Sequence, residues 1–464
     1  MTISPSPEPV GKPKYQAIAD DLAQAIVNGQ FGPGEKLPPH RVMAKRLGVT
    51  PGTVSRAYAR LEHQALALAR VGDGTYVRNL QAHRQEAHND GAAATLIDMA
   101  HNVAIRTDDL QALQHTLTRL GHHGERMSPL LDYQPEAGMQ RHRSAGARWL
   151  QRFGTQGNWE RVMVTHGAQH ALAAVLRTVA RPGDTILTEA LSYSGLMALA
   201  RSMRLQVIGL PMDEEGLLPD ALSSAVHSYG SKMLYCTPSL HNPTTATMSM
   251  ARREAIAAIV RRDNLLVMED AVHAAAQAQP LPALASLVPE HTFLLASFSK
   301  VMAPGLRVGY LEASPQWLDK VAASIRADCW MVAPLMPEIV TDWLETGVAD
   351  QLIGQQRRRI AERLALARRC LQGLPVRWAA DLPHLYLPLP EPWQSDSMAS
   401  ALRQAGVQVR TMEHFAAGRA PIPQAVRISL NAAHSREQLR DGLRTIARVL
   451  HSTAARAAAA DLAG

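Results

Sequence analysis

Residues 297–310 read SFSKVMAPGLRVGY, with Lys300 and Arg307 set in otherwise apolar company beside two glycines and a proline. Lysines belong mostly on solvated surfaces, so a lysine in such a run asks for a partner elsewhere in the chain. The stretch lies between two strand-like runs, TFLLASFS before it and RVGYLE from within it, and both have counterparts upstream. VMVTHG, DTILTE, LQVIGLP, KMLYCTP and NLLVMED are also short, nearly continuously apolar, and separated by stretches of helical period. Strands of that kind alternating with helices predict an α/β fold with a mostly parallel sheet covered on both faces.

The totals bound the rest. At 464 residues the chain is long enough for about two to four domains. Apolar residues make up 46% and charged residues 19%, a globular balance. No apolar run approaches the ~20 residues that span a bilayer, and the opening MTISPSPEPVGKPK has no apolar signal region. Cys236, Cys329 and Cys370 are scattered, which fits neither a metal quartet nor a disulfide framework. The expectation is a cytoplasmic protein without a metal and without membrane contact. The formal charge is +7, and residues 1–80 carry ten Lys/Arg against six Asp/Glu, which points to a basic N-terminal module and to nucleic acid.

That module has its own pattern. Residues 1–13 are Pro- and Ser-rich and are expected to be flexible. Tyr15, Ile18, Leu22 and Ile26 form a helical stripe from Lys14 to Gly29, which FGPGEKLPP then breaks. HRVMAKRLG predicts a second helix ending at Gly48. TVSRAYARLEHQAL predicts a third, with Thr50 as its cap and Pro51 in its first turn. ALARVGDGTYVR closes with a hairpin signal around Gly72-Asp73-Gly74. Val54, Ala57, Tyr58 and Leu61 would be buried, leaving Thr53, Ser55, Arg56 and Arg60 outward; the alternative is that the arginines merely solvate a surface helix.

Over about 65 residues this stretch resembles the winged helix-turn-helix of GntR-type bacterial regulators. The resemblance rests on Gly29, Pro33, Gly34, Leu37, Pro38, Leu47, Gly48, Thr53, Val54, Arg56, Gly72, Gly74, Thr75 and Val77. It departs at Ala65, where a glycine is usual. It implies a DNA-binding domain over 14–78, with Lys14, Arg41, Thr53, Ser55, Arg56, Arg60, Gly74 and Thr75 at the contact positions. Residues 79–97, poor in large apolar side chains, read as a linker.

Beyond the linker the chain offers what a phosphorylated aldehyde cofactor needs: an amine, a phosphate cradle, a carboxylate for a ring nitrogen and a flat ring partner. THGAQHALAAVL follows a strand and opens a helix, so the amides of Ala168 and Gln169 are placed to meet a phosphate, with Ser297, Ser299 and Arg307 completing the cradle; the resemblance below adds Gly167 to that turn. Asp270 ends the strand NLLVMED, Tyr193 lies in LTEALSYSGL, and Asn242 lies in CTPSLHNPTT. Taken singly these read equally as a helix cap, a core aromatic and a turn. Together, in this order, they resemble the fold-type-I, aspartate-aminotransferase-like pyridoxal-phosphate proteins over roughly 98–452.

With the GntR-type head, the whole chain resembles the MocR subfamily of transcription regulators. That resemblance implies a large transferase domain with a smaller C-terminal α+β subdomain, and pyridoxal 5′-phosphate held by Lys300 as an internal aldimine. It places Asp270 on the ring nitrogen, Asn242 on the phenolic oxygen and Tyr193 on the ring face. It places Arg427, in QAVRISLNAA, on an amino acid's carboxylate, and Tyr133, in LLDYQPEAG, on the neighbouring subunit's phosphate. A homodimer with swapped heads follows. Two departures stand out: His273 occupies a position that usually holds tyrosine, where its protonation would vary near neutrality, and Thr245 replaces the usual glycine of N-P-T-G. Residues 453–464 read as a disordered tail. The expected function is a regulator that reads operator DNA and senses an amine or amino acid through aldimine exchange. The alternatives are a working aminotransferase with an accessory head, or a sensor of the cofactor itself.

Overall fold

The computed structural model describes residues 13–28, 30–31, 35–64, 66–70, 74–77, 96–105 and 108–461. Residues 1–12, most of the linker and the end of the tail lie outside these, as do Gly29, Pro33, Gly34, Ala65 and Gly72, which carried part of the resemblance. The chain divides into two compact units between Thr95 and Leu96.

In the first unit, helices α1 (Lys14–Val27), α2 (His40–Leu47) and α3 (Pro51–His63) precede an antiparallel hairpin of β1 (Ala67–Arg70) and β2 (Gly74–Val77). Gly48 ends α2 in the left-handed conformation with φ 64°, which glycine adopts without steric cost. Thr50 caps α3, its hydroxyl accepting from the Thr53 amide at 3.2 Å, and Pro51 sits at the first helical position. Leu22, Ile26, Leu37, Met43, Val54, Tyr58, Leu61 and Val77 pack as one core. Tyr58 satisfies its buried hydroxyl by donating to the Pro38 carbonyl at 2.8 Å.

The second unit is built on a seven-stranded sheet. Its strands are β3 (Val162–Thr165), β4 (Thr185–Glu189), β5 (Gln206–Leu210), β6 (Met233–Cys236), β7 (Leu266–Asp270), β8 (Thr292–Ser297) and β9 (Gly309–Glu312). They lie in the order β3-β9-β8-β7-β6-β4-β5. All pairings are parallel except those of β9, which runs against both β8 and β3. Each of the seven apolar runs in the sequence is one of these strands. Period-two alternation decides which face each residue covers: Phe293 and Leu295 join one core, and Leu294 and Ala296 the other. Helix α4 (Gly167–Val179) follows β3 and packs against β8 and β9.

A smaller three-stranded antiparallel sheet, β10 (His384–Pro388), β11 (Arg410–Thr411) and β12 (Ala425–Ser429), lies in the order β10-β12-β11. It shares a core with Met99, Leu402, Leu439 and Leu443. The closing helix runs from Arg436 to Asp461, so the stretch expected to be a disordered tail is helical through Asp461. Its alanine-rich composition, which looked featureless, is the best helix former available. Among the described residues no helix is long and apolar enough to cross a membrane.

Replacing Thr50 by Ala removes the α3 cap, and a loss of about 1 kcal/mol in local stability is expected, measured by amide hydrogen exchange in α3; Thr50→Ser should retain most of it. Unchanged exchange in both variants would contradict the capping role.

Candidate functional site

The opening stretch now has a physical account. It is the connection between β8 and β9, and the pairing Ser297↔Gly309 pins both of its ends at the C-terminal end of β8. Gly309 has no room for a side chain, because a Cβ there would lie 2.8 Å from the Ala296 carbonyl and 2.8 Å from Gly167 Cα. That close approach brings the first turn of α4 against the connection. Ser297 Oγ lies 3.0 Å from Ser299 Oγ and accepts from the Ser299 amide at 3.2 Å. Arg307 donates through Nη1 to Ser299 Oγ at 3.0 Å and through Nη2 to the His166 carbonyl at 3.3 Å. Gly167, at φ 76°, opens α4 directly beside that guanidinium, with Ala168 and Gln169 next in the turn. Gln169 donates to the Gly195 carbonyl at 3.3 Å, and the Tyr193 ring crowds the same glycine. A helix N-terminus, two hydroxyls and a guanidinium thus converge on one place, a donor set for an anion.

Asp270 ends β7 in the neighbouring position. Its carboxylate accepts from the Tyr235 hydroxyl at 2.6 Å and from the Val272 amide at 2.9 Å. Burial pushes its pKa above the usual carboxylate range, while those two donors and the Lys300 charge pull the other way. Lys300 Nζ donates to the Asn102 carbonyl at 2.5 Å. Burial, then the Arg427 charge, lower its amine to about 8, with Asp270 opposing and Arg307 assisting. Arg427, on β12, donates through Nη1 to Asn242 Oδ1 at 3.0 Å and through Nη2 to the Ala100 carbonyl, and its guanidinium lies 5.0 Å over the Phe415 ring.

His273 is buried within the same field. Burial, then Lys300 and Arg427, hold it down to about 3. The expectation that its protonation varies near neutrality is therefore corrected: it is a neutral imidazole at physiological pH, because two cations and desolvation oppose a third charge. Its ring meets that of His384 edge-on at 5.7 Å. Thr245 takes φ 67°, the left-handed conformation that the usual glycine would adopt freely and a β-branched residue adopts with strain.

Several of these neighbours carry no sequence signal. Tyr235 reaches Asp270 from the adjacent strand, through a register that follows from the sheet order. Ala100 and Asn102 act through backbone carbonyls, which any residue supplies. His384 accepts from Asn102 Nδ2 at 3.1 Å across 282 residues of sequence. Glu189 lies fully buried beneath, raised to about 7 by desolvation and accepting from the Thr237 amide at 2.8 Å. Tyr133 stands outside the cluster: it is 83% exposed, with its ring 5.9 Å from Trp330.

The head sorts its own candidates. Lys14, Arg41, Ser55 and Arg56 are exposed. Ser55 Oγ lies 2.9 Å from His40 Nδ1. Thr53 is half-buried, its hydroxyl 2.9 Å from that of Thr50. Arg60 is half-buried and turned toward Asp20 of α1 at 3.8 Å, rather than outward as expected. Thr75 is 5% exposed, because alternation along β2 turns Thr75 and Val77 inward; beside it Gly74, at φ 140°, lies against the Lys36 side chain. What Thr75 offers is its carbonyl, which accepts from the Leu37 amide at 2.8 Å.

Comparison with known proteins matches this division. Residues 98–446 match the aminotransferase class I and II family, and residues 14–77 match the bacterial regulatory proteins of the gntR family. The uncharacterized HTH-type transcriptional regulator YdeF of Bacillus subtilis is 31% identical over 97% of both chains. This chain belongs to the MocR form of the gntR family. The HTH-type pyridoxine biosynthesis transcriptional regulator PdxR of Corynebacterium glutamicum is 26% identical, covering 86% of this MocR-type chain and 88% of its own. In fold, the α-aminoadipate aminotransferase LysN of Thermus thermophilus matches with a TM-score of 0.69 and 23% identity, over 80% of this chain and 97% of that one.

The depressed Lys300 amine has a direct test in this MocR-type protein. With a pKa of about 8, about one in ten molecules carries the neutral amine at pH 7. Reductive methylation with formaldehyde, followed at Lys300 by mass spectrometry, should therefore accelerate about tenfold per pH unit and level off above pH 8. Acceleration continuing to pH 10 would contradict the environment described.

Proposed function

We propose that this chain is a DNA-binding transcription regulator that holds pyridoxal 5′-phosphate in the Lys300 crevice and senses an amine or amino acid there. The observation that carries the reading is the company Lys300 keeps. Its amine is depressed toward neutrality, and it shares one electrostatic field with Asp270, Arg307 and Arg427.

The residues fit the cofactor by the chemistry of their donors. Ser297, Ser299, Arg307 and the opening turn of α4 suit a phosphate dianion. Asp270, whose carboxylate accepts from Tyr235 and Val272, suits a protonated ring nitrogen. Asn242 and neutral His273 supply polar partners that carry no charge, so a phenolic oxygen meets hydrogen bonds rather than a second cation. Tyr193 suits a ring face. When bound, the cofactor supplies an aldehyde that condenses reversibly with primary amines, including an incoming effector. The chain's own contribution is orientation and proton control: Lys300 presents a partly neutral amine, Asp270 holds a proton at the ring nitrogen, and Arg427 fixes a carboxylate by its fork.

In the head, exposed Arg56 on α3, with Arg41 on α2 and Lys14 on α1, offers charge to a duplex. A homodimer belongs to the same reading. Exposed Tyr133, Leu131 and Trp330 supply an apolar surface for a second copy, with Tyr133 serving the partner's phosphate.

A second reading, sensing of the cofactor itself, is favoured by the likeness to PdxR, whose name assigns it to pyridoxine biosynthesis. Selecting a duplex with the wild-type chain, then titrating it with and without pyridoxal phosphate and with amino acids, separates the two. A shift on cofactor alone supports the second reading, and a shift that needs an amine as well supports the first.

Two substitutions test the assignments. After incubation with pyridoxal phosphate and borohydride, the wild type should carry a phosphopyridoxyl group on Lys300 and Lys300→Ala none; equal labelling elsewhere in both would refute the assignment. Arg56→Ala should weaken binding to the selected duplex by about 1–3 kcal/mol without loss of fold, and indifference would remove α3 as the reading helix.

A further inference from the structure

Residues 97–105, at the end of the linker and just beyond it, thread through the site just described. Ile97–Asp98 pairs in parallel with Val407–Gln408, and Met99 is buried in the core of the small sheet, where Gly442 leaves room for its sulfur. Asp98 Oδ1 then accepts from the Ala100 and His101 amides at 2.8 and 3.2 Å. Beyond this point donors hold one carbonyl after another. Arg427 holds that of Ala100, and Lys300 that of Asn102 at 2.5 Å. Asn431 holds that of Val103 at 3.0 Å, and Gln356 that of Ile105 at 3.3 Å.

Two of these four donors are the amine and the guanidinium that the proposed ligands need. An arginine clamps a carboxylate with two parallel N–H groups of one fork. Here Nη2 is engaged by a backbone carbonyl and Nη1 by Asn242. A carboxylate accepts more strongly than an amide carbonyl, so the exchange is downhill at Arg427 but sacrifices the strap's own contact.

We propose that residues 98–105 form a competitive strap, whose Ala100 carbonyl occupies the effector's carboxylate clamp and must be displaced when a carboxylate-bearing amine binds. The strap continues directly into the linker that leads to the head, so occupancy of the site alters the segment to which the DNA-binding unit is tethered. This deepens the functional reading above and rests on it.

The distinguishing consequence is that loosening the strap tightens the ligand. Asn431→Ala and Gln356→Ala each remove one strap contact without touching the groups assigned to the cofactor or effector. In the full-length protein, calorimetric titration with the reduced adduct N-(5′-phosphopyridoxyl)-L-alanine should show affinity raised about three- to tenfold in either variant. N-(5′-phosphopyridoxyl)-ethylamine, which lacks the carboxylate, should show less gain. In the wild type, the alanine adduct should speed hydrogen exchange at the Ala100 and His101 amides relative to the ethylamine adduct, a measurement that stands even if a variant fails to fold. If the wild type binds both adducts but exchange at 100–101 is the same with each, or if the folded variants bind no tighter, the strap is overturned while the cofactor reading survives. If the wild type binds neither adduct, the cofactor reading falls and the strap with it.

Discussion

The structure depends on keeping a lysine amine and two guanidinium groups close together against a single carboxylate, with Arg427 buried and Arg307 exposed at the solvent side. Lys300, Arg307, Arg427 and Asp270 share one crevice beyond the C-terminal ends of β7 and β8, and desolvation with mutual repulsion pulls the lysine toward neutrality. Such an arrangement is costly, and backbone carbonyls help to absorb the cations: His166 for Arg307, Ala100 for Arg427 and Asn102 for Lys300. The same economy keeps His273 neutral, since another charge has nowhere to go.

The fold delivers these groups by register. The Ser297↔Gly309 pair closes the connection that carries Lys300 and Arg307, and the bare glycine backbone at 309 lets α4 approach so that Gly167 meets the Arg307 guanidinium. Asp270 arrives from the next strand, Tyr235 from the one beyond, and Arg427 from the small antiparallel sheet. In the proposed strap, binding on one side and tethering on the other are a single equilibrium, biased by whatever claims Arg427.

Much of this was legible in the sequence because it is local. Apolar runs marked all seven strands of the large sheet, helical stripes and the Gly48–Thr50–Pro51 turn marked the head, and Lys300, Arg307 and Asp270 sit at strand ends where the pattern breaks. What could not be read is what acts at a distance or without a side chain. The Ala100 and Asn102 carbonyls meet their partners across 327 and 198 residues and leave no signature in residue type. Arg60 was read as outward because its helix has a polar face, and Asp20 on another helix decides otherwise. Thr75 matched a family pattern, yet strand alternation turns its side chain inward.

The most direct measurement of the central claim is the visible absorption of the full-length protein after mixing with pyridoxal phosphate and removing whatever is unbound. A retained yellow band at one cofactor per chain, lost when the phosphate-free aldehyde pyridoxal is substituted at the same concentration, is what the crevice predicts. A protein that stays colourless with both, or takes up pyridoxal equally well, would contradict the amine and the anion cradle on which the account rests.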